Sequence, residues 1–220
     1  MAQQDRAIRT RQLILQAAGV IFAERGYDGA TIKDVYDSVG VTKGAFYFHF
    51  ASKKELAEAV LGAQVGDAGF PLVPRSLKLQ ELVDAGMVFA HTLTHDPILQ
   101  ASIRLSMDPS TPDVDRRRPF QAWIDQNRRA LDDALERGEM HPHVDVAEIA
   151  HLLVGAFSGV QLLSQAMTDR KDLEERISIL LTNLLPAFAV PGILAKVDMS
   201  PGRGARVLAE MQQLLSPSCC

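Results

Sequence analysis

The chain has 220 residues, of which 47% are hydrophobic and 23% are charged, and its formal net charge is −4. This balance is that of an ordinary globular protein with its own core, and it excludes a disordered or fibrous chain. No apolar run approaches the roughly 20 residues that a transmembrane helix needs, and the N-terminus has no apolar signal-peptide core, so we expect a cytoplasmic protein with no membrane partner.

The charge is distributed unevenly. Residues 1–60 carry eight Lys or Arg against seven Asp or Glu, whereas the remaining residues carry fifteen against twenty. Basic side chains lie within the segment 41–56 or precede the first apolar helix face: Arg6, Arg9, Arg11, Lys43, Lys53 and Lys54. Only this N-terminal part has the weakly basic character that a small phosphate-binding surface requires.

The first 60 residues predict four helices. Apolar residues at helical spacing indicate a helix over 6–25, which Gly26 ends. Thr31 and Asp34 form a capping box before a short second helix, and Thr42 is placed to cap a third over 43–50. Residues 52–55, S-K-K-E, form another capping box that opens a fourth helix. The third helix is therefore short, and the fourth follows it almost at once.

Beyond a Pro- and Gly-rich segment at 66–76, we expect helices at about 77–95, 97–107, 119–137, 145–168, 171–189 and 202–215. No segment alternates with period two, so the predicted fold class is all-α. The helix at 145–168 is apolar on nearly every side, and the helix at 171–189 is similarly rich in Leu and Ile. A chain of this size cannot easily bury both helices, so we expect a homodimer formed through them.

The second and third helices have the arrangement of a helix-turn-helix, in which the second helix of the motif, called here the reader helix, enters the major groove N-terminal end first. That end is formed by Thr42, Lys43 and Gly44. Lysine can donate to guanine O6 and N7, and glycine lets the backbone approach the duplex. Candidate donors to phosphates are Tyr47, His49 and Lys53. The phenylalanines Phe46, Phe48 and Phe50 are expected to hold this helix in place rather than to stack on bases.

The order of these motifs resembles the DNA-binding domain of tetracycline-repressor (TetR) family regulators. The resemblance covers residues 9–56 through R-Q-L-I-L-Q-A-A, F-A-E-R-G-Y-D-G-A-T-I-K-D-V, G-V-T-K-G-A-F-Y-F-H-F and S-K-K-E-L. It implies a three-helix DNA-binding domain at 1–52, a helical ligand-binding and dimerisation domain at 53–220, and a homodimer that leaves its palindromic operator when a ligand binds. The implied DNA contacts are Thr31, Lys33, Thr42, Lys43, Gly44, Tyr47, His49 and Lys53.

Further segments are similar to the γ-butyrolactone autoregulator receptors of antibiotic-producing actinobacteria: A-Q-Q-D-R-A-I-R-T-R-Q, A-S-I-R-L-S-M-D, P-F-Q-A-W-I, G-A-F-S-G-V-Q-L-L-S-Q and L-P-A-F-A-V-P-G-I-L. This resemblance spans nearly the whole chain and implies a repressor of secondary-metabolism genes released by a γ-butyrolactone or butenolide. Some relatives respond to antibiotics or to no autoregulator. The alternative is therefore a pseudo-receptor or drug-responsive repressor that senses an antibiotic or a biosynthetic intermediate.

A ligand site is expected around Trp123, which matches a pocket residue of these receptors and which sequence periodicity alone equally assigns to a core. An indole can pack on a lactone ring while its N–H donates to a polar atom. Gln64 ends the apolar stripe of the fourth helix, and Ser158 and Gln161 lie within the helix at 145–168, so these groups bond either other protein groups or a ligand. Apolar wall candidates are Val60, Phe89, Leu105 and Phe157. A ligand held between Gln64 and Trp123 would shift the fourth helix and, through Ser52–Glu55, the reader helix.

An enzyme is the main alternative class. His91 and His95 have helical spacing, but no glutamate completes an H-E-x-x-H motif, and the residues around Ser158 do not form G-x-S-x-G. Cys219 and Cys220, the only cysteines, are adjacent and cannot supply a disulfide framework or a four-ligand zinc site, and their role stays open. We therefore expect no catalysis, no metal and no cofactor.

Overall fold

The computed structural model describes residues 2–62, 73–109 and 114–215. These residues contain eleven α-helices and no β-strand, so the all-α prediction is confirmed for them. The helices are Ala2–Gly29 (α1), Ile32–Ser38 (α2), Lys43–His49 (α3), Lys53–Gly62 (α4), Lys78–His95 (α5), Pro97–Met107 (α6), Arg117–Glu136 (α7), Val146–Thr168 (α8), Leu173–Leu184 (α9), Pro191–Leu194 (α10) and Arg203–Leu215 (α11).

The predicted caps form at the starts of α2 and α3. Thr31 Oγ1 accepts from the N–H of Asp34 at 3.1 Å while the Asp34 carboxylate accepts from the N–H of Thr31 at 3.1 Å, which is a complete capping box. Thr42 Oγ1 accepts from the N–H of Ala45 at 3.1 Å. Each side chain supplies an acceptor to an N–H group that has no partner inside its helix.

The chain divides into two compact units. The first consists of Met1–Asp67 and Asp96–Phe120, and the second of Ala68–His95 and Gln121–Cys220. The first unit extends beyond residue 52, because α4 and α6 pack with α1 in one core. The division at 52 was drawn by expected function, and it stays a prediction.

The core of the first unit joins α1, α3, α4 and α6. Its members include Ile14, Phe22, Phe46, Phe50, Leu56, Val60 and Leu105. α1 is broken at Gly26, which has φ 70°, a conformation that a side chain would strain, so the regular helix ends where the sequence predicts. Arg104 of α6 closes this break by donating to the carbonyl of Ala23 at 2.7 Å.

In the second unit, α11 packs tightly on α5. A Cβ at Gly204 would overlap the carbonyl oxygen of Met87, so only glycine allows this approach. The fully buried Asp84 of α5 accepts from Arg203 of α11 through two bonds of 2.8 Å, and from Arg75, which precedes α5, at 2.7 Å. A buried carboxylate is tolerated only when it is paired in this way.

The sequence did not predict how α5 begins. The buried carboxylate of Glu139 accepts from the N–H groups of Lys78 and Leu79 at 2.9 and 2.8 Å, and so caps a helix about 60 residues earlier. The next residue, Met140, forms an isolated antiparallel bridge with Ala189. These contacts fix the segment between α7 and α8 to the start of α5 and to Ala189, which follows α9 in the chain.

Helices α8 and α9 lie close to their predicted ranges, except that the predicted helix over 171–189 stops at Leu184 and continues as one 3₁₀ turn, Leu185–Ala187, which contains Pro186. Large apolar side chains are exposed on these helices: Leu152, Leu162, Leu163, Met167 and Ile179. By length and composition alone, α8 could also cross a membrane, contrary to the sequence expectation, and only 22% of its apolar window is buried within the chain. One such helix is weak evidence, because a core or interface helix has the same composition.

Candidate functional site

The reader helix α3 has one exposed and one buried face. Lys43, Gly44 and Tyr47 are exposed, whereas Phe46 is fully buried. At about 100° per residue, Lys43, Tyr47 and Gly44 lie within about 100° of one another around the helix, and Gly44 is nearly opposite Phe46. No atom lies within 4 Å of where a Gly44 Cβ would stand, so this face is open at its N-terminal end.

The side chains of this face are held by their neighbours. Lys43 Nζ lies 6.0 Å from the ring centroid of Tyr47, whose ring packs edge to face on Phe46 with centroids 5.4 Å apart. Thr42, also exposed, accepts with its hydroxyl oxygen and can still donate its hydrogen to a phosphate or base. The surface thus offers an ammonium, two hydroxyls and open backbone, which are donors suited to DNA.

The remaining predicted DNA contacts have more protein partners. Thr31 uses its hydroxyl within the capping box, and Lys33 forms an i, i+4 ion pair with Asp37. The Lys53 ammonium lies 4.4 Å from the ring centroid of Tyr27, and partial burial lowers its pKa. His49 is half-buried on the inner side of α3. Operator contacts by these residues stay predictions.

Phe48 is the residue of α3 that sequence reasoning misplaced. Its side chain is 78% exposed, so the expectation that all three phenylalanines hold the helix in place is wrong for Phe48, while Phe46 and Phe50 are fully buried. The spacing contains the missed signal: Phe48 follows the exposed Gly44 by four residues, so the two share a face. Apolar character alone pointed to the core.

Three predicted ligand residues meet in the second unit. The ring of Phe89 on α5 lies 4.8 Å from that of Trp123 on α7, edge to face, and 5.4 Å from that of Phe157 on α8. Gln126, one turn beyond Trp123, was not predicted; its Oε1 is buried and has no hydrogen-bond partner in the parts of the chain that the structure describes. A buried amide oxygen next to an aromatic cluster suits a ligand that donates a hydrogen bond.

The other predicted ligand residues are distributed differently. Ser158 donates to the carbonyl of Val154 at 2.7 Å, and Gln161 is buried in α8. Val60 and Leu105 are fully buried in the core of the first unit, and Gln64 lies outside the described residues. Their ligand roles stay predictions.

His91 and His95, the two histidines with helical spacing, make contacts within the protein. His91 Nδ1 lies 2.7 Å from the Glu174 carboxylate, and the ring of His95 lies 5.3 Å from that of His91. Within the ranges that the structure describes, no three His, Cys, Asp or Glu side chains are grouped so that they could hold a metal ion.

Comparisons with known proteins agree on both halves of the chain. Residues 14–60 match the family described as bacterial regulatory proteins, tetR family, and residues 76–191 match the tetracyclin repressor-like C-terminal domain. The chain is 37% identical to the A-factor receptor protein of Streptomyces griseus, over 90% of this chain and 70% of that protein.

Solved structures show the same similarity. The full-length native TylP structure, a TetR regulator from Streptomyces fradiae, has a TM-score of 0.86 at 40% identity, covering 93% of this chain and 98% of that one. A γ-butyrolactone receptor, an ArpA-like protein, has a TM-score of 0.64 at 28% identity, covering 93% and 98%.

Proposed function

Because this chain belongs to the TetR family of bacterial regulatory proteins, we propose that it represses transcription as a homodimer on a palindromic operator and is released by a γ-butyrolactone or butenolide. TetR regulators are DNA-binding proteins rather than enzymes, and they bind operators and small ligands as dimers. The single observation that carries the proposal is the open face of α3, with Lys43 and Gly44 exposed at its start. We place the protein in the cytoplasm, in control of secondary metabolism.

The ligand class is supported by the second unit and by the relatives. The aromatic cluster of Phe89, Trp123 and Phe157 is a suitable surface for a small lactone, and the amide oxygen of Gln126 can accept from a ligand hydroxyl. The names of the relatives include an A-factor receptor and a γ-butyrolactone receptor. The same aromatic surface also suits other small, largely apolar molecules, so an antibiotic or a biosynthetic intermediate is the second candidate ligand.

Release would act through the short link between α3 and α4. Only three residues separate these helices, and Glu55 of α4 accepts from the N–H of Ala51 at 2.7 Å while Ser52 caps α4. The predicted capping box therefore forms with one difference: the Glu55 carboxylate accepts from the N–H of Ala51 instead of that of Ser52. A displacement of α4 moves the reader helix, and the two readers of a dimer then lose the spacing of about 34–36 Å between successive major grooves.

The whole proposal is tested with selected DNA and a ligand panel. The purified protein is first used to select a sequence from random duplexes, and gel-shift titrations then add butyrolactones, butenolides or antibiotics. We expect a palindromic sequence that is released by a lactone or butenolide. Release by antibiotics alone would favour the second candidate, and failure to select any sequence would contradict DNA binding.

Replacing Lys43 by alanine is expected to weaken binding to the selected operator about 10- to 100-fold, because one base-contacting side chain contributes roughly 1–3 kcal/mol of discrimination. Fluorescence anisotropy measures the affinity. Lys171→Ala, which removes an exposed lysine of the second unit, is the matched control. Equal affinities of the Lys43 variant and the control would remove Lys43 from the interface.

Replacing Trp123 by alanine is expected to leave operator affinity within about twofold of the wild type and to abolish release by the lactone. The indole packs edge to face on Phe89 in the second unit, so its loss should remove ligand contact without touching α3. Gel shifts with and without ligand, together with the thermal midpoint, measure both properties. A variant that loses DNA binding and has a clearly lower thermal midpoint would show that Trp123 is a core residue.

The dimer is expected to use the exposed apolar residues of α8 and α9. Met167→Glu places a charge on this face, where Met167 is 66% exposed, and should give a monomer at micromolar concentration. Leu214→Glu, on the exposed side of α11, is the control and should stay dimeric. Light scattering after gel filtration gives the masses, and a dimeric Met167 variant would exclude this face.

A further inference from the structure

Phe48 is the most exposed of the large hydrophobic side chains in the described residues. A single exposed apolar residue is common on protein surfaces and needs no explanation by itself. The position of Phe48 is what distinguishes it, because it lies on the seven-residue helix that carries the proposed DNA contacts.

The ring of Phe48 shares the outer face of α3. Gly44 stands one turn before it, and no atom lies within 4 Å of where a Gly44 Cβ would stand, so the helix surface is open at this position. The ring of His49 meets it edge to face with centroids 5.0 Å apart. At about 100° per residue, Phe48 lies about 40° from Gly44 around the helix and nearly opposite Phe46, so its ring is directed away from the core, next to the open Gly44.

The chemistry of the major groove limits what an apolar ring can recognise there. Base edges present hydrogen-bond donors and acceptors and a single apolar group, the 5-methyl of thymine. We propose that Phe48 reads a thymine of the operator through this methyl group, in addition to the polar contacts made by the start of α3. The inference rests on the proposed function, because it requires that α3 enters the groove.

The test removes the methyl group without changing base pairing. Each thymine of the selected half-site is replaced in turn by deoxyuridine, and affinities are measured for the wild type, Phe48→Ala and Phe48→Leu. At one position, the wild type should lose about fourfold, the effect of one buried methyl group. Phe48→Ala should bind thymine and uracil equally there, whereas Phe48→Leu should keep part of the discrimination.

Other outcomes overturn the inference in distinguishable ways. Equal sensitivity of the wild type and Phe48→Ala at every thymine, or a Phe48→Ala variant that is uniformly weaker on all sequences, would assign Phe48 to the sugar-phosphate backbone or to no contact. Leu13→Ala, which removes an exposed apolar side chain from α1, should behave as the wild type. If the wild type selects no sequence at all, the proposed function fails as well.

Discussion

Replacing Asp84 by alanine is expected to lower the free energy of unfolding by about 3–5 kcal/mol, because it leaves two guanidinium groups without their buried partner. Asp84 is fully buried and binds Arg75, Arg203 and the amide of Gln80. The loss should be seen as a lower midpoint temperature of unfolding, monitored by circular dichroism, and as a lower midpoint concentration of urea.

An exposed acidic residue provides the control for this change. Asp132→Ala breaks a surface i, i+4 pair with Arg128 and should change stability by less than about 0.5 kcal/mol. A second variant, Asp84→Asn, keeps the shape and removes the charge, and it should also be destabilised. If both Asp84 variants unfolded at the same temperature and urea concentration as the wild type, the bonds of Asp84 to Arg75 and Arg203 would not hold α11 to α5.

The second large effect is expected for Phe46→Ala. Phe46 is fully buried on α3, with its ring centroid 6.0 Å from that of Phe50 and 6.5 Å from that of Tyr36 on α2. Removing a buried phenylalanine typically costs about 3–5 kcal/mol through lost contacts and the cavity that remains. Because the helix-turn-helix loses its packing, the variant should also lose operator binding. Fluorescence anisotropy measures the binding, and thermal unfolding measures the stability.

Phe48→Ala is the matched control, because it removes the same side chain two residues further along α3. Its stability should stay within about 0.5 kcal/mol of the wild type, since an exposed side chain leaves no cavity. Equal destabilisation of the two variants would contradict the division of α3 into a buried and an exposed face.

What the sequence predicted well is local. The capping box of Thr31 and Asp34 lies within four consecutive residues, and the break at Gly26 needs only a glycine after an amphipathic stretch. What it did not predict depends on distant residues. Asp84 meets an arginine 119 positions later, and Glu139 caps a helix 60 positions earlier, so no window of sequence contains these pairs.

The candidate site divides in the same way. The place of Lys43 and Gly44 at the exposed start of a short helix could be predicted because Thr42 caps that helix, whereas the orientation of Phe48 depends on which face the core of the first unit covers. No sequence pattern marked Gln126 as a site residue, because glutamine is common on helices and the burial of its amide oxygen is set by tertiary packing. The chain also passes between the two units at three places, of which only the first falls in the Pro- and Gly-rich segment at 66–76.

The contact of α11 with α5 sets an order of events during synthesis. The first unit is complete once Phe120 has left the ribosome, whereas the second requires Arg203 and Gly204, made several seconds later at about 5–20 residues per second. Until then, Asp84 has no Arg203 to neutralise it. A nascent chain cut short before α11 would therefore expose an unfinished second unit to cellular proteases while its first unit is already folded.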